Sequence, residues 1–155
     1  MIEPNRLRLE QMAARYQARL DAATAVRAGD ETAFLREFAE ACDNVVRPVM
    51  EECAGVLRAS GHEPRILVDE GFILPSIELA LGLRGASGTS NRVGFGVIRR
   101  ERQPLKILSY LVMSPPQFDM DRFARAAELT ADRVEYIVVE AIEQLMATNT
   151  PSGSP

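Results

Sequence analysis

Three acidic residues in the middle of the chain, Asp69, Glu70 and Glu78, are the carboxylates that come nearest to a catalytic set. A nuclease-like arrangement needs a lysine two residues beyond Glu78, and Ala80 occupies that position. The sole histidine, His62, lies in a predicted turn, and one histidine does not make a typical zinc site without several cysteine or acidic ligands. No serine or cysteine has an evident base nearby in the sequence. We therefore predict no catalytic residues, no metal site and no cofactor, and the sequence favours a protein that is not an enzyme.

A basic stretch between residues 84 and 106 is the second candidate for chemistry. It holds six positive residues against Glu101, although the whole chain has a formal net charge of -4. Such asymmetry attracts an acidic partner or a phosphate backbone, but it also keeps hairpin ends soluble and strand edges unpaired. Nucleic-acid binding is therefore an alternative and not the favoured function. The candidate binding residues, with one tyrosine as a stacking surface, are Arg84, Arg92, Arg99, Arg100, Arg102, Lys106 and Tyr110.

The glycine- and serine-rich segment 85–91 invites comparison with phosphate-binding loops. It lacks the Gly-Lys-Ser/Thr ending of a P-loop. It also connects two predicted strands, so that no helix N-terminus stands behind it. The pattern therefore indicates a hairpin loop.

Residues 124–138 resemble the core of a helix-turn-helix DNA-binding motif, because Leu129, Thr130 and Val134 fall at the positions that the motif requires. Glu128 stands where the turn usually has glycine, and the would-be recognition helix is rich in acidic residues. A helix that enters a DNA groove needs hydrogen-bond donors and positive charge against phosphate. The segment therefore predicts one amphipathic helix, or a helix with a joint at Thr130.

The elements that must position these residues begin with two predicted helices, over residues 5–28 and 31–59, each with apolar residues spaced by seven. Gly29 is a natural helix terminator and Asp30 is a good cap for the next helix, so we expect an antiparallel helical hairpin. Pro48 predicts a kink just before it. The apolar residues that are candidates for self-association are Leu9, Met12, Tyr16, Leu35, Phe38, Val45 and Val49.

Alternating apolar residues between 65 and 112 predict a sheet of three or four antiparallel strands in a meander, because the connections are too short for parallel crossovers. If Gly82 faces Gly94 and Ala80 faces Gly96, one sheet face has small residues at its centre. Small residues let a ligand approach closely, which makes a small-ligand pocket a further alternative, unless a helix or Tyr110 covers that floor. The opposite, core-facing side carries Leu79, Leu81, Phe95, Ile107 and Leu111.

A long C-terminal helix is predicted over about residues 120–147, capped by Asp119 or Asp121, and residues 148–155 are predicted to be a disordered tail. The order helix, helix, sheet, helix predicts a single α+β domain over residues 1–147.

The bulk composition indicates a globular protein and sets the functional expectation. A length of 155 residues suits one domain, no apolar run approaches the ~20 residues of a membrane span, and no signal peptide is evident. Cys42 and Cys53 are predicted to be reduced thiols, and Lys106 is the only lysine, which is typical of a GC-rich bacterial genome. We expect a cytoplasmic, non-catalytic interaction or assembly module that forms a homodimer through its N-terminal helices, has an unidentified protein partner and does not bind membranes.

Overall fold

The computed structural model describes residues 2–70, 74–86, 91–101, 103–113 and 117–149, and it confirms the α+β class. Its helices are α1 (Glu3–Ala41), α2 (Arg47–Ala59) and α3 (Ala131–Asn149), with a π-helical turn at Cys42–Val46 and a 3-10 turn at Ala126–Glu128. Its strands are β1 (Glu63–Asp69), β2 (Ser76–Gly82), β3 (Asn91–Ile98), β4 (Lys106–Met113) and β5 (Gln117–Phe123). The chain divides into two compact units, residues 1–33 and 34–155, and the prediction of a single domain stays a prediction.

The helical hairpin predicted at Gly29 and Asp30 is wrong, because α1 continues through both residues. Glycine ends a helix when it adopts a positive φ, and among the described glycines only Gly61 and Gly85 do so. In a right-handed helix, glycine costs only about 0.5–1 kcal/mol relative to alanine. The surrounding alanines and arginines are strong helix formers and offset that cost.

Gly29→Ala is expected to stabilise α1 by about 0.5–1 kcal/mol, because alanine loses less backbone freedom in a helix than glycine does. Nothing lies within 4 Å of a Cβ atom built at Gly29. Amide hydrogen exchange of residues 27–33 should therefore slow by roughly two- to fivefold. Gly55→Ala in α2, where a Cβ atom is equally unobstructed, is the matched control and should act similarly. A faster exchange in Gly29→Ala would mean that the helix is interrupted there.

The interruption expected from Pro48 takes the form of the π-helical turn at Cys42–Val46. Pro48 has no N–H to donate, and its ring crowds the carbonyl four residues earlier. The chain accommodates it in a wider turn, in which the Arg47 N–H donates to the carbonyl of Cys42 five residues before it. This turn separates α1 from α2.

The sheet is an antiparallel meander in the order β1-β2-β3-β4-β5, so the predicted count of three or four strands is too low. The missed strand is β5, where Asp119 faces Tyr110 of β4 and the Asp121 backbone bonds to the Ser109 side chain at a register shift, so neither aspartate caps a helix. An edge strand needs few apolar residues, and in β5 only Phe123 is fully buried, which gives a weak alternation. Helix α3 instead begins at Ala131, after Thr130, whose Oγ1 accepts a hydrogen bond from the Arg133 N–H at 3.3 Å.

The predicted register of the central hairpin is wrong by four residues. Glu78 faces Gly94 and Ser76 faces Gly96, where we expected Gly82 and Ala80. An even shift leaves every side chain on its predicted face, because the side-chain period of a strand is two. The core side is therefore as predicted, with Leu79, Leu81, Phe95, Ile107 and Leu111 all buried.

The hydrophobic core lies in the unit of residues 34–155, between one face of the sheet and the helices α2 and α3. Helix α3 contributes most of its apolar side, and α2 contributes Met50, Ala54 and Leu57. Residues Thr148 and Asn149 belong to α3, whereas the rest of the predicted tail lies outside the described residues. No helix in the described ranges combines the length and the apolar character that a membrane crossing requires.

Candidate interaction surfaces

The first candidate surface is an apolar stripe on α1. Residues 2–30 are exposed along their whole length. At about 100° per residue, five large apolar side chains fall within a sector of about 80°. We call them the α1 stripe, and each is between 43% and 70% exposed: Ile2, Leu9, Met12, Tyr16 and Leu20. Helices in proteins owe most of their stability to the packing of an apolar face, so this stripe is a surface suited to a partner.

Charges on α1 are sorted around the stripe. The side chains of Arg6, Arg8 and Arg19 project within about 90° of the stripe axis on an ideal helix. Alongside the stripe, between residues 3 and 21, the acids lie beyond about 100°, on the far side: Glu3, Glu10 and Asp21. The far-side acids form local pairs: Gln17 donates to Asp21 at 3.0 Å, and Arg6 lies 2.9 Å from Glu3 and 4.0 Å from Glu10. Arg8 and Arg19 are the arginines left at the rim. The rim of the stripe is therefore basic.

The residues predicted for self-association separate into two groups. Leu9, Met12 and Tyr16 are exposed on α1. Phe38 and Val49 are buried in the core of the unit 34–155. The other two, Leu35 and Val45, are partly buried and pack against that core. Because core packing already occupies the second group, only the first group offers an open surface.

The second candidate surface is a groove between α2 and α3, which the sequence analysis did not predict. It encloses about 260 Å³, and two valines on its sides, Val56 and Val139, are 67% and 49% exposed. Glu52 and Glu135 are the charged residues that line it. We call it the α2–α3 groove, and its lining is Val49, Glu52, Cys53, Val56, Leu57, Glu135, Val139 and Ile142.

The two thiols are free, and both are poor nucleophiles in this fold. Burial raises the pKa of the Cys42 thiol to about 12, with a smaller effect from Asp43. Burial also raises the pKa of Cys53 in the α2–α3 groove, and the Glu135 and Glu52 carboxylates raise it further. Both thiols are therefore protonated near neutral pH, and a protonated thiol neither attacks an electrophile nor ligates a metal well.

The third candidate surface is the sheet face away from the core, where the structure shows Tyr110 covering Gly94. A Cβ atom at Gly94 would lie 2.7 Å from the Cζ and OH atoms of Tyr110. The Tyr110 hydroxyl donates to Glu78 Oε2 at 2.7 Å, and Arg92 Nε lies 3.6 Å from the same oxygen. Burial raises the pKa of Tyr110, and the hydrogen bond to Glu78 raises it further. The tyrosine ring thus occupies the space that the small-ligand alternative assigned to a ligand.

The structure does not gather the basic stretch 84–106 into one patch. Arg84 follows β2 and Arg99 follows β3, so in an antiparallel pair they lie at opposite ends of the sheet, on the order of 25 Å apart. Arg92 lies between Arg84 and Arg99 along the sheet, and it forms an ion pair with Glu78. Lys106, which faces Ile98, lies near Arg99 and Arg100, whereas Arg102 is outside the described residues. Nucleic-acid binding stays a prediction.

The remaining chemical residues occupy structural positions. His62 accepts a hydrogen bond at Nδ1 from the Arg84 backbone N–H at 3.0 Å. This hydrogen bond links the segment after α2 to the segment after β2. Asp69 ends β1, and Glu78 is engaged by Tyr110. Within the residues that the structure describes, no group of three or more His, Cys, Asp or Glu side chains is placed to hold a metal ion.

The fold is thus an α+β meander with an exposed helical stripe and a groove between two helices. Comparison with known proteins gives no match, since no family model, no curated protein and no solved structure is significantly similar to the chain.

Proposed function

We propose that this chain is a non-catalytic interaction module that self-associates, most simply as a homodimer, through the α1 stripe. The observation that carries the proposal is the group of four large apolar side chains exposed on one side of α1, together with Ile2 directly before its first residue. A contiguous exposed apolar surface rimmed by polar residues is typical of a protein–protein interface. The proposal includes a cytoplasmic location and a protein partner that is not yet identified.

The energetics of α1 support a partner. Fully burying one large apolar side chain contributes roughly 1.5–3 kcal/mol, and about half of that remains to be gained by a half-exposed side chain. Most of the stability of helices in proteins comes from packing of an apolar face, and within α1 only Phe38 is buried. Docking the stripe would therefore stabilise α1 and bury its apolar surface in one step.

The proposal is tested by the mass of the chain in solution, measured by size-exclusion chromatography with light scattering at several concentrations. We expect a species of twice the 17.1 kDa chain mass. The double variant Leu9→Asp with Tyr16→Asp should be monomeric at concentrations where the unchanged chain is dimeric, because charge cannot be buried at an apolar contact without a large cost.

The matched control places the same two aspartates on the other side of α1, as Ala14→Asp with Ala18→Asp. Both alanines are exposed and project more than about 140° from the stripe axis on an ideal helix. The control adds the same two negative charges and loses at least as much helix propensity, because alanine is the strongest helix former, and it should remain dimeric. An unchanged chain that is monomeric at tens of micromolar would overturn the proposal.

A further inference from the structure

Two surfaces of this chain complement each other in polarity and in charge. The α1 stripe is apolar, and its basic rim is formed by Arg8 and Arg19, whereas Arg6 pairs with Glu3 and Glu10 on the same helix. The α2–α3 groove is apolar, and its charged lining residues, Glu52 and Glu135, are acidic. We infer that the α1 stripe of one copy docks in the α2–α3 groove of a second copy, which rests on the proposed self-association and names its contact.

The charge pattern favours this contact over the pairing of two α1 stripes. Two stripes that meet would bring basic rims together, and close like charges at an interface oppose association. In the α2–α3 groove, the same arginines meet carboxylates. Helix α3 adds to that field, because its sequence contains four acids against a single base, Arg133. Complementary potentials also steer the encounter of two copies.

The form of the groove suits a helix as its occupant. An amphipathic helix binds in an apolar groove through side chains spaced three, four and seven residues apart. Leu9, Met12 and Tyr16 have these spacings, and all three are exposed. The groove presents exposed Val56 and Val139 for them to cover. The core need not move, because Val56 and Val139 are already on the surface, while Val49, Leu57 and Ile142 form the buried floor of the groove.

Charge reversal with mixing tests the inference. The stripe variant reverses two charges beside the α1 stripe, Arg8→Glu and Arg19→Glu. The groove variant reverses the two charges of the α2–α3 groove, Glu52→Arg and Glu135→Arg. Each alone should dimerise roughly tenfold or more weakly than the unchanged chain, because each sets like charges against each other. An equimolar mixture of the two variants should recover the affinity. In the mixed dimer, the acidic stripe of the stripe variant meets the basic groove of the groove variant, and the unchanged basic stripe of the groove variant meets the unchanged acidic groove of the stripe variant.

Matched controls reverse charges that lie away from the contact. Glu10→Arg with Asp21→Arg changes the far side of α1, and Glu140→Arg changes a part of α3 that does not line the groove. These controls should dimerise as the unchanged chain does. All seven altered acids and arginines are in exposed positions apart from the sheet, so circular dichroism should show an intact fold in every variant.

The native thiol in the groove supplies a second, independent measurement. Cys53 is half-buried in the α2–α3 groove, whereas Cys42 is buried in the core. Alkylation of Cys53 at mildly alkaline pH should be slower in the concentrated dimer than in the diluted monomer. The Leu9→Asp with Tyr16→Asp variant should lose this protection at every concentration.

The outcomes separate this inference from the function on which it rests. A groove variant that dimerises normally, with Cys53 unprotected in the dimer, would overturn the docking of the stripe in the groove and leave self-association standing. A chain that is monomeric at every concentration would overturn both. Weakening of both variants, with recovery in the mixture and protection of Cys53, is the result that the inference predicts.

Discussion

Phe95→Ala is expected to lower the free energy of unfolding by about 3–5 kcal/mol, the usual cost of removing a buried aromatic side chain. Phe95 is fully buried near the middle of β3, on the central strand of the sheet. Its ring centroid lies 6.4 Å from that of Phe123, and the Arg133 guanidinium carbon lies 4.8 Å from the Phe123 centroid. The substitution therefore leaves a cavity where β3, β5 and α3 meet.

Urea unfolding followed by circular dichroism measures this loss, and two variants set its scale. Phe95→Leu keeps most of the volume and should cost less than about 1.5 kcal/mol. Phe118→Ala removes the same ring from β5, where it is 41% exposed, and should cost far less than Phe95→Ala. Equal losses at Phe95 and Phe118 would contradict the position of the core. A concentration-dependent midpoint would report self-association in the same experiment.

The core face of the sheet was predictable because burial of one sheet face imposes a period of two on the sequence. Leu79, Leu81 and Phe95 follow that period without interruption. The pairing of β2 with β3 was not predictable, because any even shift keeps the same residues in the core. The register of β2 against β3 is set by the loop between them. The sequence of this loop contains no two-residue turn signal from which the register could be predicted.

The two errors in element boundaries have a common physical reason. Gly29 was predicted to end a helix and the acids Asp119 and Asp121 to begin one, from local preferences worth about 1 kcal/mol each. In the structure, a long helix continues through Gly29, and both aspartates lie in β5, where Asp119 faces Tyr110 of β4. Ser109 reinforces that ladder, since its Oγ accepts from the Asp121 N–H at 2.8 Å. The helix propensity of the neighbouring residues outweighed the preference of Gly29, and strand pairing outweighed the capping preference of the two aspartates.

The candidate surfaces were predictable only where one element carries them. The exposed residues Leu9, Met12 and Tyr16 lie on a single helix, so their spacing alone indicates a surface. The α2–α3 groove joins residues 49–57 to residues 135–142, and no local pattern relates the two segments. The covering of Gly94 by Tyr110 depends on the pairing of β3 with β4, which places these two residues opposite each other.

Gly94→Ala is expected to destabilise the fold by about 2–3 kcal/mol, in the range for overpacking a filled site. The new Cβ would lie 2.7 Å from the Tyr110 ring and 2.8 Å from Glu78 Cγ, which is closer than real contacts allow. The tyrosine must swing away, and its hydrogen bond to the Glu78 carboxylate is then lost. Gly82→Ala is the matched control on the same sheet, because its Cβ would make an ordinary contact at 3.4 Å with Glu63.

A double-mutant cycle shows whether Tyr110 is the cause of that loss. Tyr110→Ala removes the ring, so Gly94→Ala should cost little in its background, and the coupling between the two sites should be of the order of 1–2 kcal/mol. Tyr110→Phe keeps the ring and removes the hydroxyl, which separates the hydrogen bond to Glu78 from the coverage of the glycine. If Gly94→Ala costs the same with and without the tyrosine ring, then the Glu78 side chain or the backbone of β3, and not the ring, requires glycine at this position.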